Sequence, residues 1–521
     1  MGTKRFWFGV ATFVAAAGFA VNGYALDPGW ARLHNGDGSA VGGAAYVTID
    51  AQGYIYVAAS VGDATQQSDF LLVKYTPDGS LLWERRWDGP ATGQDHVSGL
   101  ALDAAGSVYL TGTCDIAGAE SSGPGTGAYA VLKYDPAGDL LWEQRYAASE
   151  TLTHWAYGSA VAPDGRVWIT GVTGTVCYDA DGDFAWAQPS AGRAVTVDDA
   201  GQAWVLGLTA DPVVLVYDRD GNIIWDAAPD PTVLAGPRAH CVDADGGLYI
   251  AGYAVGDSQS GNRDFAVVKY DADGVLLWAR HEEGLPGGRD EAQAVQVDAS
   301  GNVYVTGTSF DESNWWRMDQ VTLKYDPAGS LLWTRSFNGP ADGYDCALGL
   351  DLDARGNAYV TGFSWNGATG IDFATVKYNA AGDLVWSALY DASGTDAADM
   401  PSFDRASAVC LTPTGDVCVA GLRERGGTAF DLVTVMYDQC ACECHGDPVC
   451  DGVLSVLDVV ATVNAAFRDG NVVADPNDTC PHNSTDIDCS GYTNVLDVVR
   501  VVNAAFRNAD PAASFCRPCA P

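Results

Sequence analysis

A two-strand motif recurs along most of this chain and limits the folds that the sequence can adopt. Its clearest copy is DFAVVKYDADGVLLW, from Asp264 to Trp278, which reads as a strand, a tight turn and a second strand. Asp and Pro favour the first positions of such turns, and Gly supplies the positive φ that other residues resist. Further copies occupy Asp69–Trp83, Tyr129–Trp142, Val176–Trp186, Val213–Trp225, Gln320–Trp333 and Asp372–Trp386. This periodicity predicts a repeat protein.

A second hairpin precedes each copy of the first. Its best example is VDASGNVYVTG, Val297–Gly307, and its relatives begin at Ile49, Leu102, Val161, Val197, Val242, Leu352 and Leu411. The strands of both hairpins are apolar on both faces. Such strands are typical of sheets that are covered by other sheets on each side.

The two ends of the repeat region complement each other. The last strand of the VKY type, Asp431–Asp438, has no G-x-L-L-W strand after it, whereas Trp30 in GWARL has no VKY strand before it. If these two segments pair, they share one sheet and remove an exposed edge. The sequence therefore predicts an all-β fold, an eight-bladed β-propeller of four-stranded blades, closed by N- and C-terminal strands over residues 26–440.

The V-D-x-x-G-N-x-Y-V-T-G pattern at Val297–Gly307 and Leu352–Gly362 resembles the bacterial "beta-propeller repeat" (SBBP) family over about 410 residues. This resemblance implies a propeller, and a fold alone does not fix an activity. The Y-D-P-A-G-x-L-L-W segments also resemble the tryptophan-docking motif of pyrroloquinoline-quinone dehydrogenases. They carry Pro-Ala-Gly or Ala-Asp-Gly where those enzymes have Thr-Gly, and the adjacent cysteine pair typical of those enzymes is absent from the sequence.

The N-terminal segment and the net charge bear on location and partners. Residues 1–25 combine Lys4 and Arg5, an apolar run and small residues before Leu26, which is the pattern of a secretory signal peptide. The formal net charge is -39, a surface that repels nucleic acid and anionic lipid. We expect a secreted or surface-attached bacterial protein with no transmembrane anchor and no nucleic-acid partner.

Residues 441–521 form a different, cysteine-rich domain with an internal duplication. LSVLDVVATVNAAFR at Leu454–Arg468 is repeated as TNVLDVVRVVNAAFR at Thr493–Arg507, and each copy follows an aspartate-rich loop. Oxygen ligands at the spacing of an EF-hand loop predict calcium as the cofactor. The expected ligands are Asp447, Asp451, the Val453 carbonyl, Ser455 and Asp458 in the first loop, and Asp486, Asp488, Ser490, the Tyr492 carbonyl, Asn494 and Asp497 in the second.

The two loops and their helices resemble a type I dockerin, the module that docks onto cohesin domains, over roughly Gly446–Asn508. The resemblance implies a small α-helical domain and a cohesin-like partner. Val449 cannot supply a ligand at position 3 of the first loop, so the second loop is expected to bind calcium more tightly. The alternative is a calcium-stabilised cap that has no partner.

Cysteines are concentrated in the tail. In an exported protein the tail cysteines read as disulfides, with a zinc site as the minority alternative. Within the repeats, Cys410 and Cys418 flank one hairpin turn, so either a cross-strand disulfide or two buried thiols is consistent with the sequence.

One rim of the predicted propeller collects the long, dissimilar loops, where binding sites usually lie. A polysaccharide or cell-surface glycan is the expected ligand of the aromatic and polar residues there. The candidates are His154, Trp155, Asp290, Glu291, Trp315, Trp316, Trp365 and Arg405. Because no nucleophile and base motif is present, a binding or scaffold protein is favoured. The alternative is an extracellular carbohydrate-active enzyme, with a glycosidase carboxylate pair at the channel mouth.

Overall fold

The computed structural model describes residues 24–26, 28–34, 44–62, 68–91, 93–116, 127–148, 154–198, 200–208, 214–227, 233–255, 263–285, 288–311, 317–367, 369–392, 402–425 and 429–438. Within these ranges the chain forms 33 β-strands and no helix. The described part contains no segment that could cross a membrane as a helix. Residues 1–23 of the predicted signal peptide and the whole tail from residue 439 lie outside the described residues.

Most strands belong to sheets of four. After β1 (Tyr24–Ala25) and β2 (Trp30–His34), sheet A contains β3 (Tyr46–Ile49), β4 (Ile55–Gly62), β5 (Ser68–Tyr75) and β6 (Leu81–Trp87). Sheet B contains β7 (His96–Leu102), β8 (Val108–Asp115), β9 (Gly127–Tyr134) and β10 (Leu140–Tyr146). Sheet C contains β11 (Ala156–Val161), β12 (Val167–Gly171), β13 (Gly174–Tyr178) and β14 (Phe184–Gln188).

Three further sheets follow the same pattern. Sheet D contains β15 (Gly192–Val197), β16 (Ala203–Gly207), β17 (Val214–Tyr217) and β18 (Ile223–Ala227). Sheet E contains β19 (Gly236–Val242), β20 (Leu248–Val255), β21 (Arg263–Tyr270) and β22 (Leu276–Glu282). Sheet F contains β23 (Asp290–Val297), β24 (Val303–Phe310), β25 (Met318–Tyr325) and β26 (Leu331–Phe337).

The remaining strands form one nine-stranded sheet with two antiparallel parts. Sheet G is β27 (Asp345–Leu352), β28 (Ala358–Trp365), β29 (Gly370–Tyr378) and β30 (Leu384–Tyr390), and sheet H is β31 (Ser402–Leu411), β32 (Val417–Arg425), β33 (Ala429–Tyr437) and β2. A short parallel pairing of β29 with β31 joins the two parts, and β1 adds to β30. The first strand of each sheet contacts that of the next, and β31 contacts β3, so the sheets form a closed ring.

The predicted closure by the N-terminal strand is confirmed. Strand β2 pairs antiparallel with β33, with Trp30 opposite Met436 and His34 opposite Leu432. Strand β33 therefore has a partner on both sides, β32 and β2. The pairing covers a strand edge that would otherwise be open to other chains.

The D-x-D-G segments are hairpin turns, as the sequence predicts, and not calcium loops. In each, the first carboxylate accepts hydrogen bonds from the backbone N–H groups two and four residues later; at Asp271 these come from Asp273 at 3.1 Å and Val275 at 2.8 Å. The same pattern holds at Asp179, Asp218 and Asp243. These oxygens are engaged in shaping the turn.

The repeated tryptophan joins neighbouring sheets. The Trp83 indole of sheet A donates a hydrogen bond to the Pro136 carbonyl in the last turn of sheet B, at 3.3 Å, and the Lys74 ammonium donates to the same carbonyl at 3.0 Å. Trp30 of sheet H makes the same bond to Pro77 of sheet A, at 3.1 Å. Equivalent bonds come from Trp142, Trp186, Trp225, Trp278 and Trp333.

The turn glycine is required for two reasons. Gly329 has a φ of +80°, and a Cβ at this position would lie 2.7 Å from the Trp278 ring of the preceding sheet. Gly and Trp in Y-D-P-A-G-x-L-L-W are therefore contact partners across sheets. This inter-sheet role accounts for the motif that resembles the quinoprotein docking motif.

Cys410 and Cys418 lie directly opposite each other on β31 and β32, and both are thiols. Burial raises the pKa of the Cys410 thiol to about 12. In this environment the thiol form is favoured over the reactive thiolate.

Replacing Gly329 with Ala should destabilise the chain more than replacing Gly415 with Ala. Gly415 also has a positive φ, +91°, but no atom lies within 4 Å of an added Cβ. The control should lose about 1–2 kcal/mol from backbone strain, and Gly329→Ala should lose about 1–3 kcal/mol more because its methyl group meets Trp278. Chemical unfolding of both variants measures the difference, and equal losses would rule out the indole contact as a constraint.

Candidate functional site: an acidic rim

A second loop motif, which the sequence reasoning missed, marks the rim with the longer loops. Three connections between sheets contain Gly followed six residues later by Asp: Gly89 and Asp95, Gly284 and Asp290, and Gly339 and Asp345. A fourth connection leads from Ala392 to Asp404. The recurring spacing is visible in the sequence at the A/B, E/F and F/G junctions, and the fourth connection is the G/H junction.

Parallel pairing across each junction brings two aspartates together. The bridges Ser68–Gln94, Arg263–Arg289 and Met318–Tyr344, and the pair Ile371–Phe403, join the third strand of one sheet to the start of the next sheet. The residue after each bridged position is an aspartate. The resulting pairs are Asp69 with Asp95, Asp264 with Asp290, Asp319 with Asp345, and Asp372 with Asp404.

Each junction aspartate also caps its own loop. The Oδ2 atoms of Asp95, Asp290, Asp345 and Asp404 accept backbone N–H groups from Gly89, Gly284, Gly339 and Ala392 at 2.6–2.9 Å. All four aspartates are fully buried. The carboxylates therefore fix the path of the chain from one sheet into the next.

Burial, reinforced by the neighbouring carboxylates, raises the pKa of these groups. It raises the pKa of Asp95 and Asp404 to about 7, and that of Asp290 and Asp345 to about 6. Hydrogen bonds from the loop N–H groups act in the opposite direction and only partly offset the loss of solvation.

A third acidic side chain completes three of the junctions. Asp88, Glu283 and Asp391 follow the outer strands of sheets A, E and G, whereas Asn338 takes this place after sheet F. Carboxylate oxygens of Asp69, Asp88 and Asp95 lie within 4.8 Å of one another, as do those of Asp372, Asp391 and Asp404. These two clusters are the sets in the described residues that could hold a metal ion.

The predicted ligand residues Asp290 and Glu291 lie in different surroundings. Asp290 is buried at the E/F junction and accepts a hydrogen bond from the Ser309 hydroxyl. Glu291 forms ion pairs with Arg238 and Arg263. The polar groups of both residues are thus already engaged within the protein.

His154 and Trp155 lie at the start of sheet C. His154 occupies the strand position of the junction aspartates, is fully buried, and shares a hydrogen bond of 2.6 Å with the Thr173 hydroxyl. The Trp155 ring packs against His96 with centroids 5.0 Å apart. Both side chains contribute to packing between sheets B and C.

Trp365 and Arg405 lie near the F/G and G/H junctions. Trp365 is half-buried and packs on Gly343, where an added Cβ would lie 2.7 Å from the ring. Arg405 lines a pocket of about 190 Å³ together with Phe403, Leu422 and Phe430. The structure does not bring the six described members of the predicted ligand set into one site.

Trp315, Trp316 and all the predicted calcium ligands of the tail lie outside the described residues. These ligands are Asp447, Asp451, Val453, Ser455, Asp458, Asp486, Asp488, Ser490, Tyr492, Asn494 and Asp497. They remain predictions of the sequence.

Residues 244–276 match a family model described as a domain of unknown function (DUF5122) beta-propeller. No curated protein matches the chain. Among solved structures, the Pan2 WD40 domain of Neurospora crassa is 10% identical, with a TM-score of 0.38, over 61% of this chain and 86% of that chain.

Two further solved structures have the same level of similarity. XC5397 from Xanthomonas campestris, described as a gluconolactonase, is 14% identical with a TM-score of 0.31, over 59% of this chain and 90% of that chain. A protein of unknown function from Bacteroides caccae is 12% identical with a TM-score of 0.31, over 54% and 93%. The family model and the ring of four-stranded sheets together show that the chain contains a β-propeller domain.

The raised pKa of Asp290 predicts a pH dependence of stability. The folded chain holds this proton up to pH about 6, whereas the unfolded chain releases it near the ordinary aspartate pKa of 3.8. Its contribution to stability is therefore full below pH 3.8 and is lost as the pH rises through about 6. In calcium-free buffer, Asp290→Asn should reduce the decline in unfolding free energy between pH 4 and pH 7.

Asp326→Asn is the matched control, because hydrogen bonds from its own turn lower the pKa of Asp326. Its contribution has the opposite sign and is lost as the pH falls. Identical pH profiles for wild type and Asp290→Asn would show that Asp290 titrates alike in the folded and unfolded chains.

Proposed function

We propose that this chain is a secreted or surface-attached protein whose eight-bladed propeller binds or scaffolds an extracellular glycan. In this proposal residues 441–521 form a calcium-binding, dockerin-like module that tethers the propeller to a cohesin-like partner. The eight-bladed count is supported by sheets A to F together with the two four-stranded parts of the nine-stranded sheet.

The difference between the two rims of the propeller is the main support for a binding function. One rim consists of hairpin turns of one design, in which a glycine N–H donates to the carbonyl three residues earlier, most often that of an aspartate. The other carries connections of very different length, from Val172–Thr173 between β12 and β13 to residues 116–126 between β8 and β9. Unequal loops on a uniform scaffold are where binding surfaces usually arise.

The Arg405 pocket is a cavity of about 190 Å³ at this rim. Phe403 and Phe430 contribute aromatic surface, and Arg405 contributes a guanidinium group in a chain with a net charge of -39. A planar guanidinium recognises carboxylates in a bidentate manner, and apolar walls with few polar groups are typical of small-molecule sites. We therefore favour a polysaccharide that carries a carboxylate only on occasional sugars, because the net negative charge of the chain would repel a uniformly acidic polymer.

Binding without turnover also fits the environment of the rim carboxylates. Asp95, Asp290, Asp345 and Asp404 are buried and hold backbone N–H groups of their own loops. A glycosidase needs a carboxylate pair that reaches both faces of the sugar. The buried carboxylates of the junctions instead accept hydrogen bonds from the protein itself.

The pocket is tested by affinity measurements of the full chain against neutral polysaccharides and polysaccharides with occasional carboxylate-bearing sugars. Arg405→Ala should weaken binding of the carboxylate-bearing polymer at least tenfold. Arg86→Ala, which removes an arginine paired with Glu84 on the outer strand of sheet A, should leave binding unchanged. Equal binding by both variants would place the ligand elsewhere. Turnover of a glycan that is lost on mutation of a loop carboxylate would favour the enzyme alternative.

The tail is tested by calcium titration of the full chain. Asp497→Ala removes the expected bidentate ligand of the complete loop, whereas Asp458→Ala acts in the loop already weakened by Val449. The first substitution should therefore lower calcium affinity more than the second. Equal losses, or calcium binding that neither substitution changes, would contradict the dockerin-like assignment.

A further inference from the structure

The four acidic junctions differ in how their carboxylate oxygens are satisfied. At the A/B junction both oxygens of Asp95 accept backbone N–H groups, from Gly89 at 2.6 Å and Asp115 at 3.0 Å. At the E/F junction, the Gly284 N–H and the Ser309 hydroxyl donate hydrogen bonds to the two oxygens of Asp290. At the F/G junction, Asp319 Oδ1 and Asp345 Oδ1 have no hydrogen-bond partner, but Arg317 lies 3.9 Å from Asp319 Oδ1 and supplies a positive charge, and Asn338 stands where the other junctions have a third acidic residue.

The G/H junction leaves two buried acceptors unsatisfied. Asp404 Oδ2 accepts from Ala392, and Asp372 Oδ2 accepts from Asn366 at 2.8 Å and Thr369 at 2.7 Å. Asp372 Oδ1 and Asp404 Oδ1 have no hydrogen-bond partner. The two residues are only 1% and 0% exposed, respectively. Unsatisfied buried carboxylate oxygens are unfavourable unless a cation or another donor reaches them.

These two aspartates share the junction with Asp391, and one oxygen of each lies within 4.8 Å of the others. Two oxygens that each lie about 2.4 Å from one calcium ion are at most about 4.8 Å apart, so the spacing of these three carboxylates is within the reach of one calcium ion. We propose that the G/H junction binds a divalent cation of the calcium class through Asp372, Asp391 and Asp404. This site is separate from the predicted loops of the tail.

Neighbouring charges agree with such a site. Asp372, Asp391, Tyr390 and Arg423 are the titratable or charged groups that act on or lie beside Asp404. Arg423 pairs with Asp404 across the β31–β32 ladder, but its Nη1 atom donates to the Ala392 carbonyl at 2.7 Å. One guanidinium against three carboxylates leaves a negative junction.

The test uses the full chain in which Asp458→Ala and Asp497→Ala silence the predicted tail sites. Calcium is then titrated alone at pH 8 into this background and into versions that also carry Asp391→Asn or Asp88→Asn. Asp88 is the matched control, because it takes the same place at the A/B junction, where both oxygens of Asp95 are already satisfied. We expect Asp391→Asn to weaken calcium binding at least tenfold and Asp88→Asn to change it less than twofold.

Thermal unfolding separates an ion site from a purely structural carboxylate. Without calcium, Asp391→Asn should keep or raise the unfolding midpoint, because it removes repulsion among the three carboxylates. With calcium, the midpoint of the tail-silenced background should rise, and that rise should be lost in Asp391→Asn. A background that binds no calcium, or equal effects of Asp391→Asn and Asp88→Asn, would overturn the proposal. Neither result would bear on the tail, which Asp458→Ala and Asp497→Ala test individually.

Discussion

The hydrogen bond from an outer-strand indole to the turn of the next sheet is the interaction on which the ring depends. The inner strands of each sheet, such as β4, β8 and β24, are buried on both faces, so each sheet is stable only when its neighbours cover it. The indole N–H fixes how that neighbour sits, while the indole ring packs over a glycine that has no Cβ to obstruct it. Because Trp30 repeats the bond to Pro77, the same interaction closes the ring between sheets H and A.

Much of this architecture could be predicted because its signals are local. A turn such as Asp271–Gly274 favours a hairpin by its own residues. The last VKY-type strand, which ends at Asp438, is not followed by an outer strand, and the Trp30 segment is the repeat strand left without a partner. The inter-sheet partner of each tryptophan was not predicted. It depends on how one sheet stacks on the next, and the repeat shows only that both residues recur.

The acidic rim was missed for a related reason. Asp69 and Asp95, or Asp372 and Asp404, become neighbours only through parallel pairing between two sheets, which no hairpin pattern reveals. The sequence reasoning treated Asp290 as an exposed ligand residue, whereas the structure buries it beneath its own loop. Trp155 and Trp365 also pack within the protein, Trp155 against His96 and Trp365 on Gly343.

The rim combines two opposing effects. Aspartates that cap the loops hold adjacent sheets together, and the same burial places like charges beside one another. This repulsion is reduced by backbone N–H groups at the A/B junction, by a serine hydroxyl at the E/F junction and by an arginine at the F/G junction. At the fourth, a bound cation would complete the series and would stiffen the junction beside the Arg405 pocket.

Closure of the ring by the N-terminal strand can be measured by amide hydrogen exchange in β33. An edge strand leaves alternate N–H groups exposed to solvent, whereas a strand flanked on both sides protects all of them. If β2 pairs with β33, exchange should be slow at every amide from Leu432 to Met436, comparable with Val321 to Tyr325 in β25. Fast exchange at alternate residues of β33 would show an open edge and would contradict the pairing with Trp30–His34.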